Sequence, residues 1–452
     1  MDTQEKKNDF TEGSIAAVIL RMAAPMTVAQ LVSVLYNIVD RMYLGHLEGM
    51  GTMALTGLGI GMPLIVIINA FANLCGMGGA PLCSIDRGAG RIAEAEKLMA
   101  NSLTLLLAFG VTLTAVTQIF LRPLLYAFGA SDQTYGYAAE YMRIYCVGCI
   151  PVMLGLGMHS FINAQGFAKM SMLTTIFGAA VNIVLDPIFI FALGLGIRGA
   201  ALASVLAQTA SAVWVMRFLC SYRAVLTLRR ADMVPDIKLC GRILAMGAST
   251  FVMNCTASLI QIVANVQLRL YGGDLYVGVM TVVNSIEQVF FLVMNGLNQG
   301  AQPVMGYNYG AHRHDRLRQG MHFMWKTWVG YATAVTVIIL IFPRPFALMF
   351  SSDEELVTLA AHSIRLFFCT FMFMGLQSVS QCLFQSFGRS GKAIFFSLLR
   401  KAIIVVPLTV LLPRWGFGVD GVFLANAVSC VLGGTACFVT MYFTEYRRLE
   451  KC

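Results

Sequence analysis

The amino-acid sequence predicts an all-α integral membrane protein of twelve transmembrane helices, arranged as two six-helix lobes related by a pseudo-twofold axis along the membrane normal. Three observations lead there: a shortage of charge along the whole chain, apolar runs of spanning length, and an internal repeat. Of 452 residues, 58% are hydrophobic and 12% charged, with a mean hydropathy of +0.72. A soluble domain carries about 25% charged residues. A helix needs roughly 20 apolar residues to cross a bilayer. Runs of that length lie near 15–44, 52–80, 93–120, 133–163, 170–193 and 199–220, and again near 243–271, 274–303, 321–342, 355–386, 393–412 and 418–443. The opening MDTQEKKNDFTEG is polar and mixed in charge. It lacks the basic start, apolar middle and small-residue cleavage site of a secretory signal, so the first span is expected to stay in the mature protein.

The net charge of +9 is informative by position. With a cytoplasmic N-terminus, inner segments carry Arg87, Arg91, Lys97, Arg223, Arg229, Arg313, Arg316, Arg389 and Lys392, while outer loops carry Arg122, Arg198, Arg344 and Arg414. This bias follows the positive-inside rule with both termini in the cytoplasm. The basic charge therefore reads as topology and contact with anionic lipids, with no nucleic-acid partner. Twelve cysteines are scattered, mostly inside apolar runs. Cys146 and Cys149 form a C-x-x-C without the βαβ surroundings of a redox fold, and read as small core residues. The six histidines have no metal-binding spacing.

A shift of 222 positions brings distant segments into register. Phe120, Arg122, Pro123 and Phe128 fall on Phe342, Arg344, Pro345 and Phe350. Pro81, Gly88, Ala89 and Arg91 fall on Pro303, Gly310, Ala311 and Arg313, and Gly194, Gly196 and Gly199 on Gly416, Gly418 and Gly421. One shift without gaps across the chain marks a duplication. An even number of spans per repeat makes the halves parallel, with sites expected near their interface. The expected organisation is a lobe over 1–220, a cytoplasmic linker over 221–240 and a lobe over 241–452. The Arg-Pro pairs should end spans, and the Gly-x-Gly pairs should mark tight turns.

Ionisable residues inside the spans point to function, because an aspartate at mid-bilayer costs on the order of 3 kcal/mol and usually faces a bundle interior or watery cavity. Asp40 lies in the first span, Asp186 in the fifth and Glu287 in the eighth. Asn182 and Asp186 share a helix face, as do Tyr36 and Asp40. Pro187 removes a backbone donor just after Asp186 and leaves carbonyls available. If the first and fifth spans adjoin, Asp40, Asn182 and Asp186 form one polar cluster. Two carboxylates that close in a low-dielectric site cannot both ionise cheaply. Such a cluster would take up a proton, or bind Na⁺ through oxygen ligands. Glu287 stands as a lone acid with no matching cation, able to contact a cationic cargo or to bond Asn284 or Gln288.

At these residues the chain resembles the multidrug and toxic-compound extrusion (MATE) family, over nearly its whole length. The likeness is carried by Tyr36-Asn37-x-Val39-Asp40, by Asn182-x-x-x-Asp186-Pro187, by GLGIRGAALAS at 194–204 and by QPVMGYNYGAHR at 302–313. The resemblance is greatest to the bacterial branch that holds the staphylococcal multidrug pump and the DNA-damage-inducible subgroup. It implies an antiporter, not an enzyme, that expels drugs and organic cations in exchange for H⁺ or Na⁺ and alternates between outward-open and inward-open states. It needs no cofactor beyond the coupling ion, and it implies a monomer in the bacterial cytoplasmic membrane. Carried over as coupling residues are Asp40, Asn182 and Asp186, which would also hold Na⁺. Ser204 stands where relatives have threonine, and Tyr141 is in place to supply a hydroxyl near the acids. The subgroup that relies on acids in the seventh and tenth spans has no matching acids here. The seventh span offers Gln261, Asn265 and Gln267, so Gln261, Asn265 and Glu287 are the candidates for cargo contact.

The main rival is a lipid-linked oligosaccharide flippase of the same superfamily, which would have a strongly cationic lumen. Here intramembrane arginines read as few and the buried charges as acids, which favours cationic cargo. A membrane-embedded enzyme would show a nucleophile or metal constellation in its spans, and none is read. Under the 222 shift Asp40, Asn182, Asp186 and Glu287 fall on Ile262, Ile404, Leu408 and Ile65. The scaffold is doubled and the acids are not, which assigns the coupling ion to the first lobe and cargo to the second.

Overall fold

A computed structural model of the chain describes residues 10–45, 51–350 and 353–451; the opening segment before Phe10 lies outside them. The described chain is helical almost throughout. Its spans are α1 (Ile15–Gly45), α2 (Gly51–Gly88), α3 (Ile92–Ile119), α4 (Tyr135–Val147 and Cys149–Ala164), α5 (Ala168–Ala192) and α6 (Gly196–Leu219). They continue as α7 (Ile237–Gly273), α8 (Leu275–Gly310), α9 (His314–Ile341), α10 (Glu354–Phe368 and Phe371–Ser386), α11 (Ser390–Leu398, Leu399–Val405 and Val406–Leu412) and α12 (Gly418–Met441). Nine helices among the described residues are long and apolar enough to cross a membrane, and the bent pairs α4 and α10 bring the number to eleven. One of these nine is the 60-residue run Ser390–Leu449, which reverses between α11 and α12. Dividing it there makes twelve.

The reversal shows why the Gly-x-Gly pairs recur. Gly416 and Gly418 have φ of 96° and 53°, and their repeat partners Gly194 and Gly196 have 64° and 54°. Side-chain-bearing residues rarely adopt this left-handed region, so glycine lets α6 and α12 start directly after the preceding helix. The Arg-Pro pairs do not close spans. α3 ends at Ile119 and α9 at Ile341, and each proline sits in the first turn of a short helix that follows, Leu121–Ala127 or Pro343–Leu348. The first turn tolerates proline because its N–H has no intrahelical partner.

α4 and α10, the spans expected near 133–163 and 355–386, are each bent, by 58° and 51°. The breaks fall at Gly148 and Thr370, positions related by the 222-residue repeat. A broken helix frees carbonyls that lipid cannot satisfy. At the first break Thr114 Oγ1 donates to Cys146 O at 3.1 Å. At the second, the break residue itself is anchored, Thr370 Oγ1 donating to Ala427 O in the middle of α12 at 2.9 Å. A side chain at Gly148 would collide with Val205, the repeat partner of Ala427. Cys146 and Cys149 flank the bend, buried in the core.

The chain packs as two units, Arg21–Gly247 and, separately, Phe10–Leu20 with Ala248–Cys452. In the first, α2 packs against α3 and both arms of α4, around Ile68, Ala72, Met99, Leu106 and Phe161. Residues 221–236 are pinned to this unit. Thr227 donates from N and Oγ1 to Glu96 Oε1 at 2.9 and 3.0 Å, Leu226 N to Gln165 Oε1 at 2.9 Å, and Asp236 N to Asn101 Oδ1 at 2.8 Å. The opening turns of α7 follow, with Leu239, Ile243 and Met246 packed on Leu82 and Leu98.

In the second unit α12 packs on α10 and α11, and α9 on α10. Its N-terminal strand of chain is held in the same way. Phe10 is buried edge-on to Tyr307, with ring centroids 5.4 Å apart. Its carbonyl accepts from Asn308 Nδ2 at 3.1 Å and from Arg316 Nη2 at 2.9 Å.

Helix contact in lipid rests on close backbone approach at small residues. A Cβ added at Gly76 of α2 would stand 2.6 Å from Gly157 O of α4. Gly76→Leu is expected to destabilise the protein by about 1–3 kcal/mol or more, read as a fall in the thermal unfolding midpoint in detergent. Gly59→Ala, where nothing lies within 4 Å, should cause no fall.

Candidate functional site

The first unit brings its predicted polar residues together. Asn182 and Asp186 lie one turn apart on α5 and are buried, at 3% and 0% exposure. Asn182 Nδ2 donates to Asp186 Oδ1 at 3.3 Å. Asp40 of α1 lies within hydrogen-bonding reach of Asp186, so the first and fifth spans do adjoin. After Pro187 the helix widens into a π-helical turn over Ile188–Ala192, with Leu193 N donating to Ile188 O at 2.8 Å. Such widened turns often accompany functional sites.

Tyrosines close the cluster on another side. Tyr141, on the first arm of α4, is buried close to Ser204 of α6 and near Asp40 and Asp186. Tyr145 stacks on Tyr141 with centroids 5.9 Å apart and lies near Tyr36, which in turn lies near Asp40. Tyr145 was not singled out from sequence, although its i, i+4 spacing from Tyr141 marks a shared face. The bend at Gly148 sets the direction of the arm that carries both rings. Asn182 Oδ1 is buried and accepts no hydrogen bond from the described residues. Carboxylate and amide oxygens are the type of ligand that hard cations take.

The second unit separates its candidates. Gln261 Nε2 donates to Asn265 Oδ1 at 2.9 Å, and Asn284 Nδ2 to Gln261 Oε1 at 2.7 Å, linking α7 to α8. Glu287 is not part of that chain, and it is not a lone acid. Arg400 and Lys401 of α11 lie within its electrostatic reach. Reading the buried charges as acids with few arginines therefore fails for this unit. Arg400 is 6% exposed, and Lys401 Nζ donates to Met253 O at 2.8 Å. The dipeptide stands at the middle of an apolar run, FFSLLRKAIIVV, so the signal was present. Its link to Glu287 was not, because only folding brings α8 and α11 together.

Two units of six spans, each enclosing ionisable side chains, define a multispan membrane protein with a duplicated transporter architecture. A MATE-family (MatE) profile matches residues 25–188 and again 250–411, and the chain belongs to that family. It is similar to the multidrug export protein MepA of Staphylococcus haemolyticus (strain JCSC1435), with 23% identity over 437 residues covering 97% of this chain and 94% of that one. MepA of Staphylococcus aureus (strain MSSA476) is 22% identical over 439 residues, covering 97% and 96%. Among solved structures, a MATE protein crystallised in a bent conformation matches with a TM-score of 0.92 and 23% identity over 99% of this chain and 98% of that one. An outward-facing multidrug-resistance MATE transporter of the MOP superfamily matches with a TM-score of 0.90 and 23% identity over 99% of both. These likenesses show the twelve-helix, two-lobe fold.

Tyr141 and Ser204 bring two hydroxyls of α4 and α6 close together beside the acids, where each can bond the other. Tyr141→Phe is expected to cost about 1 kcal/mol in unfolding free energy. Ser204→Ala should cost a similar amount, and the double variant little more than either alone. Chemical or thermal denaturation in detergent reads all three.

Proposed function

We propose that this chain is a secondary antiporter that exports organic cations and amphiphilic drugs in exchange for H⁺ or Na⁺ by alternating access. The observation that carries the reading is the convergence of Asp40, Asn182 and Asp186 at one buried point beside Tyr141. Paired acids buried in lipid are costly to keep unless they serve an ion. The staphylococcal relatives named above are multidrug export proteins, which supports drug-like cargo.

In this scheme Asp40 and Asp186 take up the coupling ion from outside, with Asn182 Oδ1 as a further oxygen ligand if the ion is Na⁺. Neutralising the pair removes the repulsion between its members and changes how α1 packs on α5. Cargo affinity falls in consequence, and ion and cargo weaken each other's binding by the same factor. The chain works as a monomer in a bacterial cytoplasmic membrane, with both termini inside and basic inner loops against anionic lipid. Gln261, Asn265 and Glu287 face cargo in the second lobe.

The test is efflux of a fluorescent organic cation from proteoliposomes, with the pH and Na⁺ gradients collapsed separately. Collapse of one gradient should stop export. Asp40→Asn and Asp186→Asn should each reduce gradient-driven export at least tenfold and leave the protein folded. Unchanged transport in Asp40→Asn, with unchanged ion dependence, would sink the scheme.

A further inference from the structure

The charges that meet in the second unit do not cancel. Arg400 and Lys401 stand side by side where α11 widens into a π-helical stretch over Leu399–Val405. Glu287 of α8 is the acid near both, yet among the described residues neither cation is in ion-pair contact with it. Their partners are neutral. Lys401 Nζ donates to the Met253 carbonyl at 2.8 Å, and Arg400 Nη1 faces Cys430 Sγ at 3.3 Å. A thiol is a weak acceptor. Arg400 Nε is buried and has no acceptor among the described residues. With 6% exposure, that guanidinium has little water to make up the difference.

The surroundings are shaped to this side chain. A Cβ at Gly433 of α12 would stand 2.7 Å from Arg400 Cγ, so glycine there makes room for the arginine stem. Under the 222-residue repeat Arg400 and Lys401 take the places of Gly178 and Ala179 on α5, one turn before Asn182. Where α5 of the first unit offers oxygen acceptors, α11 of the second offers nitrogen donors.

A guanidinium with a spare Nε–H, next to an ammonium, suits a planar carboxylate, which can accept from both. With Glu287 ionised the cluster carries one excess positive charge. A carboxylate would bring it to neutrality, and a lone cation would add to the excess. We propose that Arg400 and Lys401 form an anion site that takes the carboxylate of an amphiphilic organic acid or zwitterion. Glu287 is then the counter-charge at rest and the partner for a zwitterion's ammonium. The proposal rests on the export reading and adds amphiphilic acids and zwitterions to the cationic cargo proposed there, and its test reads binding without transport.

Purified full-length protein in detergent is titrated with dansylaminoundecanoate and with its neutral primary amide, followed by dansyl fluorescence. The acid is expected to bind about tenfold more tightly than the amide, as a charge-assisted bond supplies. Arg400→Gln and Lys401→Met should each remove most of that lead and leave amide affinity unchanged, while Arg400→Lys keeps part of it. Equal binding of acid and amide by the unaltered protein overturns the proposal, as does a lead that survives both substitutions. If the variants fail to fold, the comparison on the unaltered protein still decides. Acid selectivity in a protein that does not export would uphold the site and remove the export reading; export without acid selectivity would do the reverse.

Discussion

Hydrocarbon offers no hydrogen bonds, so every polar group that enters it must find a partner within the protein. Helices answer this for the backbone, and the two broken spans show how the exceptions are repaired. Where α4 breaks at Gly148 and α10 at Thr370, the hydroxyls of Thr114 and Thr370 bond carbonyls across to the neighbouring helix, Cys146 O in one case and Ala427 O in the other. Ionisable groups are harder to accommodate. Each costs about 2.5–3.5 kcal/mol at the centre of a span, and in both units they lie together. Asp40 and Asp186 meet beside an amide and a phenol. Arg400 and Lys401 meet opposite Glu287.

The repeat separates what holds the fold from what gives each half its chemistry. Bends, left-handed turns and the contacts behind them recur at positions 222 apart, as at Gly148 and Thr370 or Gly196 and Gly418. The clustered acids and cations do not recur: Asp40, Asp186 and Glu287 fall on Ile262, Leu408 and Ile65, and Arg400 and Lys401 on Gly178 and Ala179. One half carries acids on α1 and α5, and the other carries cations on α11. A duplicated scaffold has thus received two charge patterns of opposite sign.

Much of this was legible in the chain. Helix positions follow from apolar runs, since a span must be long and continuous. The meeting of Asp40 with Asp186 was conditional on one neighbour relation, which the fold supplies. The bends were hidden because Gly148 and Thr370 interrupt no apolar run, and α6 and α12 decide where α4 and α10 can turn. Glu287 was misjudged as solitary because its cations stand far along the chain, in a segment whose hydropathy outweighs two charges. Hydropathy finds spans by averaging, and averaging conceals a buried Arg-Lys pair.

The first helix of each half has a divided allegiance. Phe10–Leu20 packs with the second unit while the rest of α1 belongs to the first, and α7 up to Gly247 packs with the first unit before it enters the second. The copied segment and the packed body are therefore offset from one another. A gene cut at the copy boundary would strip each body of its neighbour's opening turns and expose Leu82 and Leu98 on one piece and Tyr307 on the other. Each body is completed by opening turns that belong to the other copy.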